Sequence, residues 1–119
     1  MRRFAVLAVL ACLPALPAAA EFDKITEAEA FRRLVAGKTL SHPLFKLTVS
    51  PEGAITGHGI RREVRGQWRW QDGYFCRDLF WGARDLGYNC QQVDVNGSRI
   101  RFTSDRGRGD SAVFRLRPR

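Results

Sequence analysis

The sequence predicts an all-β domain with one short N-terminal helix: an antiparallel meander of about seven strands closing into a small barrel or sandwich. Three observations predict it. A helical apolar period occurs once, near residues 27–36. Beyond Gly37, apolar and polar residues alternate with period two, as in half-buried strands. Turn-forming runs, Pro51-Glu52-Gly53, Asp72-Gly73 and Asn96-Gly97, punctuate that alternation at short intervals.

The helix has its own markers. Thr26-x-x-Glu29 fits a capping box, in which the Thr hydroxyl accepts from the Glu29 backbone and Glu29 reaches back. Ala28, Phe31, Leu34 and Val35 follow at helical spacing. Arg32 and Arg33 sit where the helix dipole favours cations, and Gly37 is a natural stop.

The strands follow in order. Phe45, Leu47 and Val49 alternate with Lys46 and Thr48. Residues 54–60, 64–71, 74–81, 87–95, 99–102 and 112–117 read as further strands, and 105–110 as a glycine-rich loop. A two-residue turn at Asp72-Gly73 places Trp70 opposite Phe75 and Trp68 opposite Arg77. A turn at Asn96-Gly97 would place Val93 opposite Ile100. A tip at residues 82–84 would make Cys76 and Cys90 face each other about Ala83. In this register Trp68, Trp70, Phe75, Leu79, Trp81, Val93, Ile100 and Phe102 share one face, which must be the core. Cys76 and Cys90 share the other with Tyr74 and Tyr88.

That register also turns Arg77, Asn89 and Gln91 inward. A charge inside is costly unless paired. Three readings are open: a structural arginine near a barrel end, satisfied by carbonyls and stacked on Trp68, the polar anchor of a ligand pocket lined by Trp68, Trp70, Arg77, Asn89 and Gln91, or a β-bulge that rotates Arg77 outward.

The N-terminus reads as an export signal over residues 1–20. Arg2 and Arg3 precede an uncharged apolar run from Phe4 to Leu13, Pro14 and Pro17 break it, and Ala18-Ala19-Ala20 supplies a cleavage site. The run is far short of the roughly 20 residues that span a bilayer, so no transmembrane segment is expected. Val9-Leu10-Ala11-Cys12 loosely matches a lipobox, which would instead make Cys12 a lipidated N-terminus. Residues 21–119 then form a single β-rich domain, periplasmic or secreted. Loss of Arg2 and Arg3 lowers its formal charge from +8 to +6. Cys76 and Cys90 are the remaining cysteines, and an exported small domain favours their disulfide. The alternatives are free thiols, or half of a metal site joined by His42 or His58.

All but three of the 20 basic residues are arginines, since only Lys24, Lys38 and Lys46 are lysines. Alternating strand arginines such as Arg99, Arg101, Arg115 and Arg117 form a solvated outer face, or meet a polyanionic envelope surface. Export argues against nucleic acid as a partner.

Catalytic motifs are incomplete. Gly37-Lys38-Thr39 ends like a phosphate loop, but Arg32 stands where the earlier glycine is needed. Gly57-His58-Gly59-Ile60-Arg61-Arg62 lacks the third glycine of a dinucleotide fingerprint and a following helix. Ser41-His42 are sequence neighbours rather than a nucleophile–base pair. Thr56 and His58 share a strand face without a third orienting group. Arg108-Gly109-Asp110 and Asn96-Gly97-Ser98 are explained as loop and hairpin. No catalytic residue, metal ligand or cofactor is assigned.

The stretch from Gly66 to Asp78 (GQWRWQDGYFCRD), with Gly87-Tyr88-Asn89-Cys90, residues 101–107 and Gly37-Lys38-Thr39-Leu40, resembles a family of small exported alphaproteobacterial proteins. Many members carry the automated name dihydrodipicolinate reductase. The resemblance implies export and brings no catalytic residues to carry over. The reductase chemistry in that name needs a nucleotide-binding α/β domain and a second domain, and a 119-residue chain reading as all-β holds neither. The expected function is therefore non-enzymatic binding of a small or amphiphilic ligand or an envelope component. The alternative is a protein-interaction module, such as an inhibitor of a cell-wall hydrolase.

Overall fold

The computed structural model describes residues 3–5, 8 and 21–119. Cys12, the alanine triplet and most of the expected export signal lie outside the described residues.

The chain forms β1 (Asp23–Ile25), α1 (Ala28–Val35), β2 (Lys38–Ser41), β3 (Phe45–Val49), β4 (Ala54–Gly59), β5 (Arg62–Gln71), β6 (Tyr74–Trp81), β7 (Arg84–Asn96), β8 (Arg99–Thr103), the single turn α2 (Ser104–Gly107) and β9 (Ser111–Pro118). Strands β2 to β9 close into an eight-stranded antiparallel barrel. Each pairs with the next in sequence except that β2 closes on β9, where Leu40 meets Leu116, instead of following β9 in the chain. Strand β1 is an addition on β7, with Ile25 opposite Val93. The expected all-β class with a short N-terminal helix is what forms, with nine strands instead of about seven: β1 and β2, of three and four residues, are too short to show an alternating period. Closure satisfies the backbone groups that open sheet edges would leave free.

Strand direction alternates around the barrel, so its turns fall at two ends. Turns at 50–53, 72–73 and 97–98 lie at the end covered by α1. The connections at 42–44, 60–61, 82–83 and 104–110 lie at the other end. Helix α1 plugs its end with Phe31 and Val35, both fully buried. The Phe31 ring lies 5.0 Å from Trp68, 5.3 Å from Trp70 and 5.1 Å from Phe75. The expected capping box does not form. The N-cap is Glu27, with no side-chain cap bond, and Glu29 is bonded by Arg32 at 2.6 Å instead.

Two turn assignments need correction. The β7–β8 tip is Gly97-Ser98, not Asn96-Gly97, because Gly97 is the residue with positive φ, at 56°, where a type II′ turn needs its glycine. Val95 therefore faces Ile100, and Val93 faces Phe102. The pairing moved by two residues, so every side chain kept its face. The β6–β7 tip is Gly82-Ala83, with Trp81 opposite Arg84, rather than 82–84. A β-bulge then adds one residue opposite Leu79, at Leu86–Gly87, and restores the register in which Cys76 faces Cys90. Those two cysteines form the disulfide on the outer face. Most of the predicted inner face is core: Trp68, Phe75, Val93, Ile100 and Phe102 are buried, with Trp70 and Leu79 packed against them. Trp81 is not part of that core: it is half-buried, its indole donates to the Gly59 carbonyl at 2.8 Å, and Arg62 stacks on its ring. No helix among the described residues is long and apolar enough to cross a membrane.

Candidate functional site

The barrel interior is not filled to its open end. A cavity of about 280 Å³ lies between the aromatic layer above α1 and the 104–110 connection. That volume is at the small limit for ligand pockets. Its floor is Phe75, Phe102 and Phe114, whose rings contact in series at 5.2 Å and 5.9 Å. Its walls are aliphatic: Leu40, Leu47, Val49, Ile55 and Leu79. These arise from period-two alternation on β2, β3, β4 and β6, which turns every second side chain inward.

Polar groups gather on one side, toward the mouth. Arg77 on β6 points into the cavity. Its Nη1 donates to the Gly87 carbonyl at 2.7 Å. Burial lowers the pKa of this guanidinium, opposed by the nearby charge of Asp78. An arginine remains cationic at neutral pH regardless. Arg77 makes no ion pair among the described residues. Gln91 lies one strand away and donates to Ser104 Oγ at 3.1 Å. Ser111 shares a hydroxyl–hydroxyl bond of 2.7 Å with Thr103. Asp110 completes the lip.

The mouth connection is held firmly. Asp105 and Arg106 both adopt left-handed backbone angles, with φ 55°. Asn89 fixes the first of them from both directions: its amide donates to Asp105 Oδ1 at 2.8 Å, and its carbonyl accepts from the Asp105 backbone at 3.0 Å. The Ser104 N–H donates to the Asp110 carbonyl at 2.9 Å, closing the loop.

The five residues suggested for a pocket therefore divide. Arg77 and Gln91 line the cavity. Asn89 braces the loop at its mouth. Trp68 and Trp70 turn inward but belong to the plugged end, where their indole N–H groups donate to the carbonyls of Ser50 at 2.9 Å and Thr26 at 3.3 Å. Those bonds tie the sheet to the turns around α1, so the tryptophans are packing groups. The bulge exists, but beyond Arg77, and does not rotate it outward. Ser104, Asp110 and Ser111 are in the site without having been singled out. Their connection carries no apolar period, and only barrel closure brings it over β6. His58 is exposed on β4 and does not line the cavity.

Comparison of the chain with family models, curated proteins and solved structures gives no match in any of the three.

Proposed function

We propose that this protein is an exported binding domain that holds a small amphiphile in the open end of its barrel. The apolar part lies on Phe75, Phe102 and Phe114, and an anionic head meets Arg77. One observation carries the reading: a half-buried guanidinium, with a single backbone carbonyl as its partner, stands at the polar side of an otherwise apolar cavity. A partly desolvated cation that makes no ion pair among the described residues, and is only partly offset by the nearby charge of Asp78, costs free energy, and an anionic ligand would reduce that cost. The cavity has room for about nine water-sized groups, which suits a short acyl chain rather than a phospholipid tail. The Cys76–Cys90 disulfide supports an oxidising compartment such as the periplasm.

The test is calorimetric titration of the purified, disulfide-bonded protein with octanoate and with octanol, which share a chain and differ in the head. Octanoate should bind at one saturable site, and octanol roughly tenfold or more weaker, since a charge-assisted bond is lost. Saturable binding of neither, or equal binding of both, would sink the proposal.

A further inference from the structure

The barrel carries its charge unevenly. Strands β3, β2, β9 and β8 are neighbours in the sheet and form one side of it. They contain six basic residues, Lys38, Lys46, Arg99, Arg101, Arg115 and Arg117, and no acidic residue. On the other side, β5, β6 and β7 mix both signs, with Glu63, Asp78, Asp85 and Asp94 among their arginines.

Strand register sharpens this asymmetry. Arg99 stands opposite Arg115, Arg115 opposite Ser41, Ser41 opposite Lys46, and Lys46 opposite His58. These residues form one row across the outer face. Like charges directly opposite across a strand pair are destabilising, yet the row places two arginines there. Arg101 is balanced by Asp94 at 3.5 Å. Lys46, Arg99, Arg115 and Arg117 are exposed and have no ion-pair partner among the described residues. Arg99, Arg115, Ser41 and Pro43 also border a shallow depression of about 240 Å³.

Next to this row, at the open end, stand exposed aliphatic residues. Leu44, between β2 and β3, is 56% exposed, and Ile60, at the β4–β5 tip, is 53% exposed. Their turns touch: a side chain on Gly59 would collide with the Leu44 carbonyl. Ile60 has φ 47°, and a β-branched residue rarely adopts that conformation. A strained, solvent-facing isoleucine is a poor choice for stability alone.

We infer that the β8–β9–β2–β3 face, with Leu44 and Ile60 at its edge, docks on an anionic phospholipid surface. Arginine forks match phosphate oxygens, and exposed aliphatics beside cations suit the boundary between headgroups and acyl chains. Single-stranded nucleic acid would need aromatic platforms. The outward positions of these strands carry none, and the nearby Phe22 ring is half-buried and already lies against the guanidinium groups of Arg101 at 4.2 Å and Arg99 at 5.5 Å. Docking of this kind would set the cavity mouth near the membrane, but the inference stands without the ligand proposal.

The test uses the chain beginning at Glu21, which holds α1 and every strand of the barrel and removes the apolar 4–13 run as a source of membrane affinity. Vesicles of phosphatidylcholine, with and without phosphatidylglycerol, are sedimented with the protein. Binding should require phosphatidylglycerol and be released by about 0.5 M salt. Arg99→Glu with Arg115→Glu should lower partitioning about tenfold or more. This pair keeps a like-charge contact in place, so thermal stability should be little changed. Arg65→Glu with Arg69→Glu makes the same charge change on β5 and should cost less than about threefold. Leu44→Ser with Ile60→Asn should weaken binding several-fold. Equal losses from the two arginine pairs would reduce the effect to net charge and overturn the inference. So would equal binding to neutral vesicles. An undiminished Leu44→Ser/Ile60→Asn variant would reassign the face to a soluble polyanion.

Discussion

The Arg77 guanidinium is held by the carbonyl of Gly87, the residue at which β7 bulges. The bulge places Cys90 opposite Cys76 on the outer face, and its carbonyl accepts from Arg77. One local irregularity thus serves both the disulfide and the cavity.

Arg77→Met separates a structural role from a binding role. If Arg77 served only packing, its loss would destabilise the barrel. The arginine has one carbonyl partner and a desolvation cost, whereas methionine fills similar length with apolar atoms. The variant should keep the wild-type Tm or exceed it by a few degrees, as replacements of buried charges often do. It should also lose the preference for octanoate over octanol. Differential scanning calorimetry with the same titration checks both, and a clear fall in Tm would assign Arg77 to structure.

Gly87→Ala probes the bulge. Gly87 has φ 82°, and a Cβ there would meet no atom within 4 Å. Only backbone strain opposes the substitution, so unfolding free energy should fall by about 1–2 kcal/mol. Urea denaturation with the disulfide intact measures it. A loss well beyond that range would mean that the bulge, and with it the Arg77 contact, had been lost.

The disulfide should contribute about 3 kcal/mol, because it closes a loop of residues 76–90 in the unfolded chain. Cys76→Ala with Cys90→Ala should lower unfolding free energy by roughly that amount and leave the fold intact, since the core is on the other face. Denaturant unfolding with near-ultraviolet circular dichroism would show both.

Much of this architecture is readable in the residues, for specific reasons. Trp68, Trp70 and Phe75 alternate about an Asp-Gly turn whose geometry allows one register, so the core face follows. The Gly97-Ser98 tip is not legible in the residues, because Asn96-Gly97 is also a good turn pair and the two choices keep the same faces. The bulge has no sequence mark beyond Gly87. Strand β2 carries one fully buried residue, Leu40, and its role comes from pairing with β9 far along the chain. Arg77 and Gln91 could be placed inside by parity alone. The mouth residues Ser104, Asp110 and Ser111 could not, because an aperiodic connection acquires its position only when the barrel closes.

Phe31→Ala should be the most damaging single change in α1. Phe31 is fully buried among four aromatic rings, and few other groups could collapse into the space. A loss of about 3–5 kcal/mol is expected. The expected result in calorimetry is a Tm drop of more than ten degrees. A loss below about 1 kcal/mol would mean that α1 is not the plug of the barrel.

Arg115→Glu should stabilise the protein while weakening its docking, and that opposition makes it informative. In the wild type Arg115 faces Arg99 across β8 and β9. Glutamate at 115 converts a repulsive cross-strand pair into an attractive one, a change of up to about 1 kcal/mol that exposure and salt reduce. The Tm should therefore rise by a few degrees at low salt, and the gain should shrink as salt is added. Partitioning onto phosphatidylglycerol vesicles should fall in the same protein, because two adjacent arginines are no longer free for phosphate. The two outcomes together would show that Arg115 lowers stability and raises affinity for an anionic surface. If Arg115→Glu lowered the Tm, Arg115 would instead be holding the β8–β9 pair together. If it left vesicle binding unchanged, the arginine row would not be the contact.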